Sequence, residues 1–225
     1  MSTPANFEKN ETPTIKADQA ALLLIDHQSG LFQVVEDLDL PTLRRNVVVL
    51  SKVATLANIP VITTASVPQG PNGRLMPEIH ENAPHAKYIA RKGEVNSWDC
   101  QPFVDAVKAT GKKQLIIAGT LTSVCMAFPA ISAIAEGFQV FVVVDASGTY
   151  SKTAQDTTLA RVVQAGAVPM DTPAVVSEIQ HTWHREDAEE WMNIWAEMLP
   201  KYQLLIESHT RAQEAERNNE PLDSE

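Results

Sequence analysis

Residues 111–150 read GKKQLIIAGTLTSVCMAFPAISAIAEGFQVFVVVDASGTY. Gln114 to Ala118 is a short apolar run rich in branched side chains, suited to a buried strand of a parallel sheet. Gly119 to Ser123 makes a tight polar turn. Ala127, Ile131, Ile134 and Ala135 fall on one face of a following helix, which Gly137 ends. Phe138 to Val144 is a second apolar strand. The stretch therefore predicts strand, turn, helix and strand, with Cys125 where the turn becomes the helix.

That place has chemical consequences. The first amides of a helix lack intrahelical partners, and the dipole is positive there. A thiolate so placed is stabilised, which lowers its pKa, and free amides beside it can hold an oxyanion. The plainer alternative is a small buried hydrophobe, as free cysteines often are. Pro129 cannot donate an amide to the Cys125 carbonyl, so the helix should kink or loosen beside the cysteine.

Outward from this unit, Ala20 to Ile25 is a first buried strand that ends in Asp26, His27 and Gln28. Ligands of open parallel sheets bind at the carboxyl ends of strands. Asp26 is thus placed to act, although an Asp after a strand is commonly a cap. His27 reads as packing, with no ligand neighbour at useful spacing. Pro41 to Asn58 is a helix and Ile59 to Ala65 a second strand. The breakers of VPQGPNGRLMPEI then forbid regular structure and suit a pocket rim. Tyr88 to Ala90 is a short third strand, followed by Arg91, Lys92 and, further on, Trp98. A cation facing inward there would lower the pKa of a carboxylate or a thiol. Trp98 either walls a pocket or fills the core. Asp145 reads as a cap. A helix over 153–165, a strand at Ala167 to Met170 and a helix from Thr172 to His181 complete the unit. Trp191, Trp195 and Met198 form an apolar stripe on a late helix, packed on a second subunit or on the chain's own domain.

The chain has 225 residues, 44% of them hydrophobic, enough for one sizeable α/β domain. Residues 1–19 read as an arm, 20–205 as the domain and 206–225 as a polar, mobile tail. A net charge of −10 argues against nucleic-acid and anionic-membrane partners. No apolar run reaches membrane-span length, and the N-terminus lacks a signal core. Two cysteines make no disulfide framework, so a reduced, cytoplasmic setting is expected. Dinucleotide, phosphate-loop and serine-elbow motifs are absent.

Asp26, the Arg91/Lys92 pair and Cys125 at three strand ends resemble the isochorismatase-like cysteine hydrolases. Within that superfamily the likeness is strongest to the bacterial YcaC-type branch. It is carried by LLLIDHQSGLF, TTASVPQGPNG, YIARKGEVNSWD and the 111–150 stretch, and spans roughly residues 15–205. The resemblance implies a three-layer, Rossmann-like fold, with a mostly parallel sheet and helices on both faces. It implies a catalytic Asp26, Arg91 and Cys125, with Lys92 as the rival to Arg91. It also implies a cis peptide at Leu121–Thr122, within an oxyanion turn of Leu121, Thr122 and Val124. Gln28, Lys92 and Trp98 are the candidate pocket residues. The Asp-x-His pair of the family's zinc-binding members is missing, so no metal or other cofactor is expected.

The implied chemistry is hydrolysis of a C–N bond in a small amide, with Asp26 as base and a thioester on Cys125. A small-molecule substrate and a homo-oligomer, an octamer in the branch it resembles, follow. The rival readings are a thiol redox protein using Cys125 and Cys100, and a catalytically silent oligomer of the same fold.

Overall fold

The computed structural model describes residues 4–220. Six strands form one sheet: β1 (Ala20–Ile25), β2 (Val61–Ala65), β3 (Lys87–Ala90), β4 (Gln114–Gly119), β5 (Gln139–Val143) and β6 (Val168–Met170). Their order is β3-β2-β1-β4-β5-β6, and every neighbouring pair is parallel. β1, β2, β4 and β5 are buried at every position, which is why they are dominated by apolar residues, with Thr63 and Thr64 of β2 and the leading Gln114 and Gln139 the buried polar exceptions. The edge strands differ. β3 is mostly exposed, and β6 carries Pro169, which an edge strand tolerates.

Alternate residues face two separate helical layers. Leu23, Ile25, Leu115, Ile117, Val140 and Val142 join α3 (Gln101–Ala109), α4 (Ala127–Ala135) and Val162 of α5 (Lys152–Ala165) in one core. Leu22 and Ile116 point the other way, to Leu50, Val53 and Ala54 of α1 (Leu40–Leu56) and Val175 and Ile179 of α6 (Thr172–Gln180). The short α2 spans Glu78–Asn82. Caps sharpen the helix ends. Asp39 accepts from the Thr42 amide at 3.0 Å, Ser151 from Ala154 at 3.1 Å, and α5 stops at Gly166 with φ 106°. The fold is the expected Rossmann-like α/β sheet.

The ends carry more structure than their polar composition suggests. From Ala5 to Phe7 the arm is tied to the domain. The Ala5 amide donates to Gly166 O at 2.9 Å, Asn6 Nδ2 to Ile134 O and Phe138 O at 2.8 Å each, and Phe7 stands edge-on to Phe141. The chain divides after His181, earlier than the boundary expected at 205. The second unit holds α7 (Ala188–Met198) and α8 (Pro200–Arg217), so the tail expected from 206 is helical to Arg217; residues 221–225 lie outside the described ones. Within that unit Arg185 lies over the Trp191 ring, 4.7 Å from its centroid, and Trp191 Nε1 donates to Asp187. Trp191 and Met198 are buried within the chain, so most of the stripe is not free for a second subunit. Among the described residues no helix is long and apolar enough to cross a membrane.

Candidate active site

β1 and β4 are neighbours in the sheet, but the chain leaves them toward opposite sides, β1 to β2 and β4 to β5. Such a switch point opens a crevice at the strands' carboxyl ends. Asp26 follows β1 and Cys125 follows β4, so both stand in it. Asp26 adopts φ 58°, a left-handed conformation that Asp tolerates, while its amide stays bound to Thr64 O at 3.0 Å.

The turn after β4 is built around one carbonyl. Leu121 O accepts from the amides of Val124 at 3.1 Å and Cys125 at 2.7 Å, closing a wide π-type turn over Thr122–Met126 before α4 begins. Pro129, with no amide for the Cys125 carbonyl, fits this loosened start. Gly119 is required by contact: a Cβ there would lie 2.9 Å from C and O of Cys125 and from the Met126 amide. The cis peptide is Thr120–Leu121, one bond earlier than expected at Leu121–Thr122. The sheet bonding runs as far as Thr120, whose amide donates to Ile25 O at 3.1 Å, and the chain reverses immediately after it. The oxyanion expectation also narrows. The Thr122 amide donates to Gly148 O at 2.9 Å and the Val124 amide to Leu121 O, so neither is free. The Leu121 amide instead acts on the Cys125 sulfur.

Arg91 donates to Asp26 Oδ1 in an ion pair sealed from solvent. Lys92 is exposed, and its backbone amide is held by Glu94 Oε2 at 2.7 Å. Of the two cations, Arg91 is therefore the one that meets Asp26. Burial pushes the Asp26 carboxyl above its ordinary pKa, and the Arg91 charge and the Cys125 thiol pull the other way. Among the described residues Asp26 Oδ2 has no well-aligned partner, and the thiol faces the carboxylate.

The Cys125 thiol is pushed well up, by burial first and then by the Asp26 charge. This corrects the expected lowering. The Leu121 amide and Arg91 do favour the thiolate, but they are outweighed, so the proton rests on sulfur.

The Isochorismatase domain family matches residues 20–174. The chain belongs to the isochorismatase family. It is similar to the probable hydrolase YcaC of Escherichia coli, 46% identical over 199 residues that cover 88% of this chain and 95% of that protein. The crystal structure of the YcaC gene product of Escherichia coli, described as an octameric hydrolase of unknown specificity, superposes with a TM-score of 0.87 at 44% identity. It covers 91% of this chain and all of that one. YcaC of Pseudomonas aeruginosa, solved with hexane-2,5-diol and covalent acrylamide, matches with a TM-score of 0.87 at 46% identity, over 90% of this chain and all of that one.

In this isochorismatase-family chain, a pocket of about 180 Å³ is lined by Asp26, Leu31, Ser66, Asn72, Val95, Leu121, Val124 and Cys125. Two expected pocket residues stand elsewhere. Gln28 is buried behind the wall, where its carboxamide holds both backbone groups of Ser66 at 2.9 and 3.0 Å and reaches Gly73 O. Trp98 fills the core between Phe103 and Phe138, and its one donor is satisfied by Glu136 at 2.8 Å. Lys92 is not among the lining residues. Leu31, Ser66, Asn72 and Val95 were missed as individuals. All four lie in the stretches that carry the family resemblance, and Asn72 lies also in the breaker-rich loop read as a rim. His27 is buried with Nε2 2.9 Å from Ala146 O, and its pKa is lowered to about 4 by desolvation. Asp145 accepts from the Thr172 amide and hydroxyl at 2.7 Å each, a bracing role at the start of α6. Among the described residues no group of three or more His, Cys, Asp or Glu is placed to share a metal ion.

Proposed function

We propose that the protein is a cysteine hydrolase that cleaves the C–N bond of a small amide through a thioester on Cys125. The observation that carries this is Asp26 at the switch point, paired to Arg91 on one side and facing the Cys125 thiol on the other. Family membership supports a hydrolase. Asp26 takes the thiol proton as sulfur attacks the carbonyl carbon. The S–C bond forms, the C–N bond breaks, and the proton passes to the leaving amine. Water then attacks the thioester, releasing the acid and restoring the thiol. The Leu121 amide, close to the sulfur, is the oxyanion donor this geometry favours, worth roughly 3 kcal/mol.

The Pseudomonas aeruginosa relative, solved with covalent acrylamide, carries a nucleophile that acrylamide modifies, and pocket-lining Cys125 is the candidate for such a group here. A redox cycle resolved by Cys100 is supported less. That thiol is packed in the core, 3.9 Å from Ala90 O, and does not line the pocket. The octameric Escherichia coli relative supports a closed homo-oligomer. Light scattering that reports only the 24.7 kDa chain would contradict it. Two free cysteines support a cytoplasmic setting, which fractionation of the native host would check. The hydrolase reading is tested by turnover of an amide panel: loss of all turnover in Cys125→Ala is expected, and survival of turnover overturns it.

A further inference from the structure

We propose that the pocket selects an uncharged, short-chain primary amide, and that Asn72 makes the selection by accepting a hydrogen bond from the substrate's amide nitrogen. This deepens the hydrolase reading and rests on Cys125 being the attacking group.

Size comes first. A pocket of about 180 Å³ is small and suits a carboxamide on a short acyl chain. Charge comes second. Among the described residues that line it, the only ionisable side chains are Asp26 and Cys125. Arg91 is enclosed behind Asp26 and does not line the pocket, so an entering carboxylate meets a like charge with no cation among the lining residues. The remaining walls, Leu31, Val95, Leu121 and Val124, are apolar. Val95 is 62% exposed, and an acyl chain laid against it removes apolar surface from water.

Ser66 and Asn72 are the polar lining residues outside the reacting group, and Asn72 carries a carboxamide that is held in place. Its Nδ2 donates to Ser66 O at 3.1 Å, and its backbone carbonyl accepts from the Gly30 amide at 2.8 Å. Glycine at 30 is what lets the loop close: a Cβ there would lie 1.9 Å from Pro71 O and 2.8 Å from the Asn72 carbonyl. Ser66 is in turn gripped by Gln28. Among the described residues Asn72 Oδ1 accepts no bond from the chain, although the residue lines the pocket. A fixed acceptor suits an N–H donor, disfavours a carboxylate and gives nothing to an ester. Sites built to hydrogen-bond a substrate N–H reject analogues that lack it.

Covalent labelling tests this without requiring turnover. Acrylamide, acrylate and methyl acrylate each add the Cys125 sulfur to the terminal alkene carbon. The thiol proton ends on the adjacent carbon, and nothing leaves. Second-order rate constants, read by intact mass and divided by those of N-acetylcysteine, remove intrinsic electrophilicity. The parent protein is expected to favour acrylamide over both analogues by about tenfold. Asn72→Ala is expected to lower the acrylamide constant by about fivefold to tenfold, while leaving methyl acrylate unchanged and not lowering acrylate. A merely structural role would lower all three together. Ratios equal to those of the free thiol, or an unchanged acrylamide constant in Asn72→Ala, overturn the proposal. If Asn72→Ala does not fold, Asn72→Ser is read by the same criteria. Selective labelling without turnover of any amide would sink the hydrolase reading and leave this one standing. Turnover with unselective labelling would do the reverse.

Discussion

Asp26 and Arg91 form an ion pair that solvent does not reach, their side chains 1% and 0% exposed. Among the described residues Arg91 Nε and Nη1 have no hydrogen-bond partners. Such a pair is a poor stability device, because desolvation of both ions offsets most of their attraction. Its effect is on the carboxyl: burial raises the pKa of Asp26, and Arg91 is the largest influence holding it down.

Replacing Arg91 should therefore act on both stability and pH dependence. Arg91→Met leaves Asp26 buried and unpaired, at an expected cost of about 3–5 kcal/mol in urea unfolding. The same change raises the Asp26 pKa further, so the acid limb of the rate profile moves to higher pH. Arg91→Lys keeps the charge without the planar fork and should fall between parent and Met variant. A Met variant with parental stability and an unmoved acid limb would show that the pair does not control Asp26.

Asp26 raises the pKa of the Cys125 thiol, so removing its charge should make the thiol more acidic. In Asp26→Asn, iodoacetamide labelling of Cys125 at neutral pH is expected to speed up, with the titration midpoint displaced downward. Cys100, packed in the core, should stay slow in both proteins. Peptide mapping by mass spectrometry across a pH series measures this. A midpoint unmoved by the substitution would mean that the two groups are not coupled.

His27 sets a second pH signature, in stability. Its folded pKa is about 4 against an ordinary 6.5, so between those values the unfolded chain binds a proton that the folded one refuses. Stability should be fully present above pH 6.5 and fall as the pH drops toward 4. At about 1.4 kcal/mol per pH unit the window is worth about 3 kcal/mol. Asp26, with its raised pKa, contributes the opposite slope near the acid end, so His27→Gln is the needed control. Urea midpoints at several pH values should show a shallower fall in the variant. Parallel curves would remove His27 from the account.

The sheet was legible because burial on both faces leaves runs dominated by apolar residues. Ala20–Ile25 is the first strand as read, and the stripe of Trp191, Trp195 and Met198 does lie on one helix, α7. Asp26 and Cys125 were each read at a strand end, and their grouping in one site came from the family resemblance. What was not legible depended on partners distant in the chain. Trp98 turns into the core because Glu136 satisfies its nitrogen, and Gln28 turns behind the wall because Ser66 and Gly73 bind it. The thiol's raised pKa depends on burial and on a carboxylate brought from another strand, against which a helix start is the weaker influence. The choice of Arg91 over Lys92 needed the alternation of the chain past β3, which adjacent cations do not reveal.

The central claim is that Asp26 serves Cys125 as the base of an amide hydrolysis. Ammonia release from short primary amides, measured for the parent, Cys125→Ala and Asp26→Asn, tests it most directly. General acid–base catalysis typically contributes about 10²–10⁴-fold. The account predicts turnover by the parent, none by Cys125→Ala, and a loss of that order in Asp26→Asn, in a protein that still melts cooperatively. Comparable ammonia release by parent and a folded Asp26→Asn would contradict it.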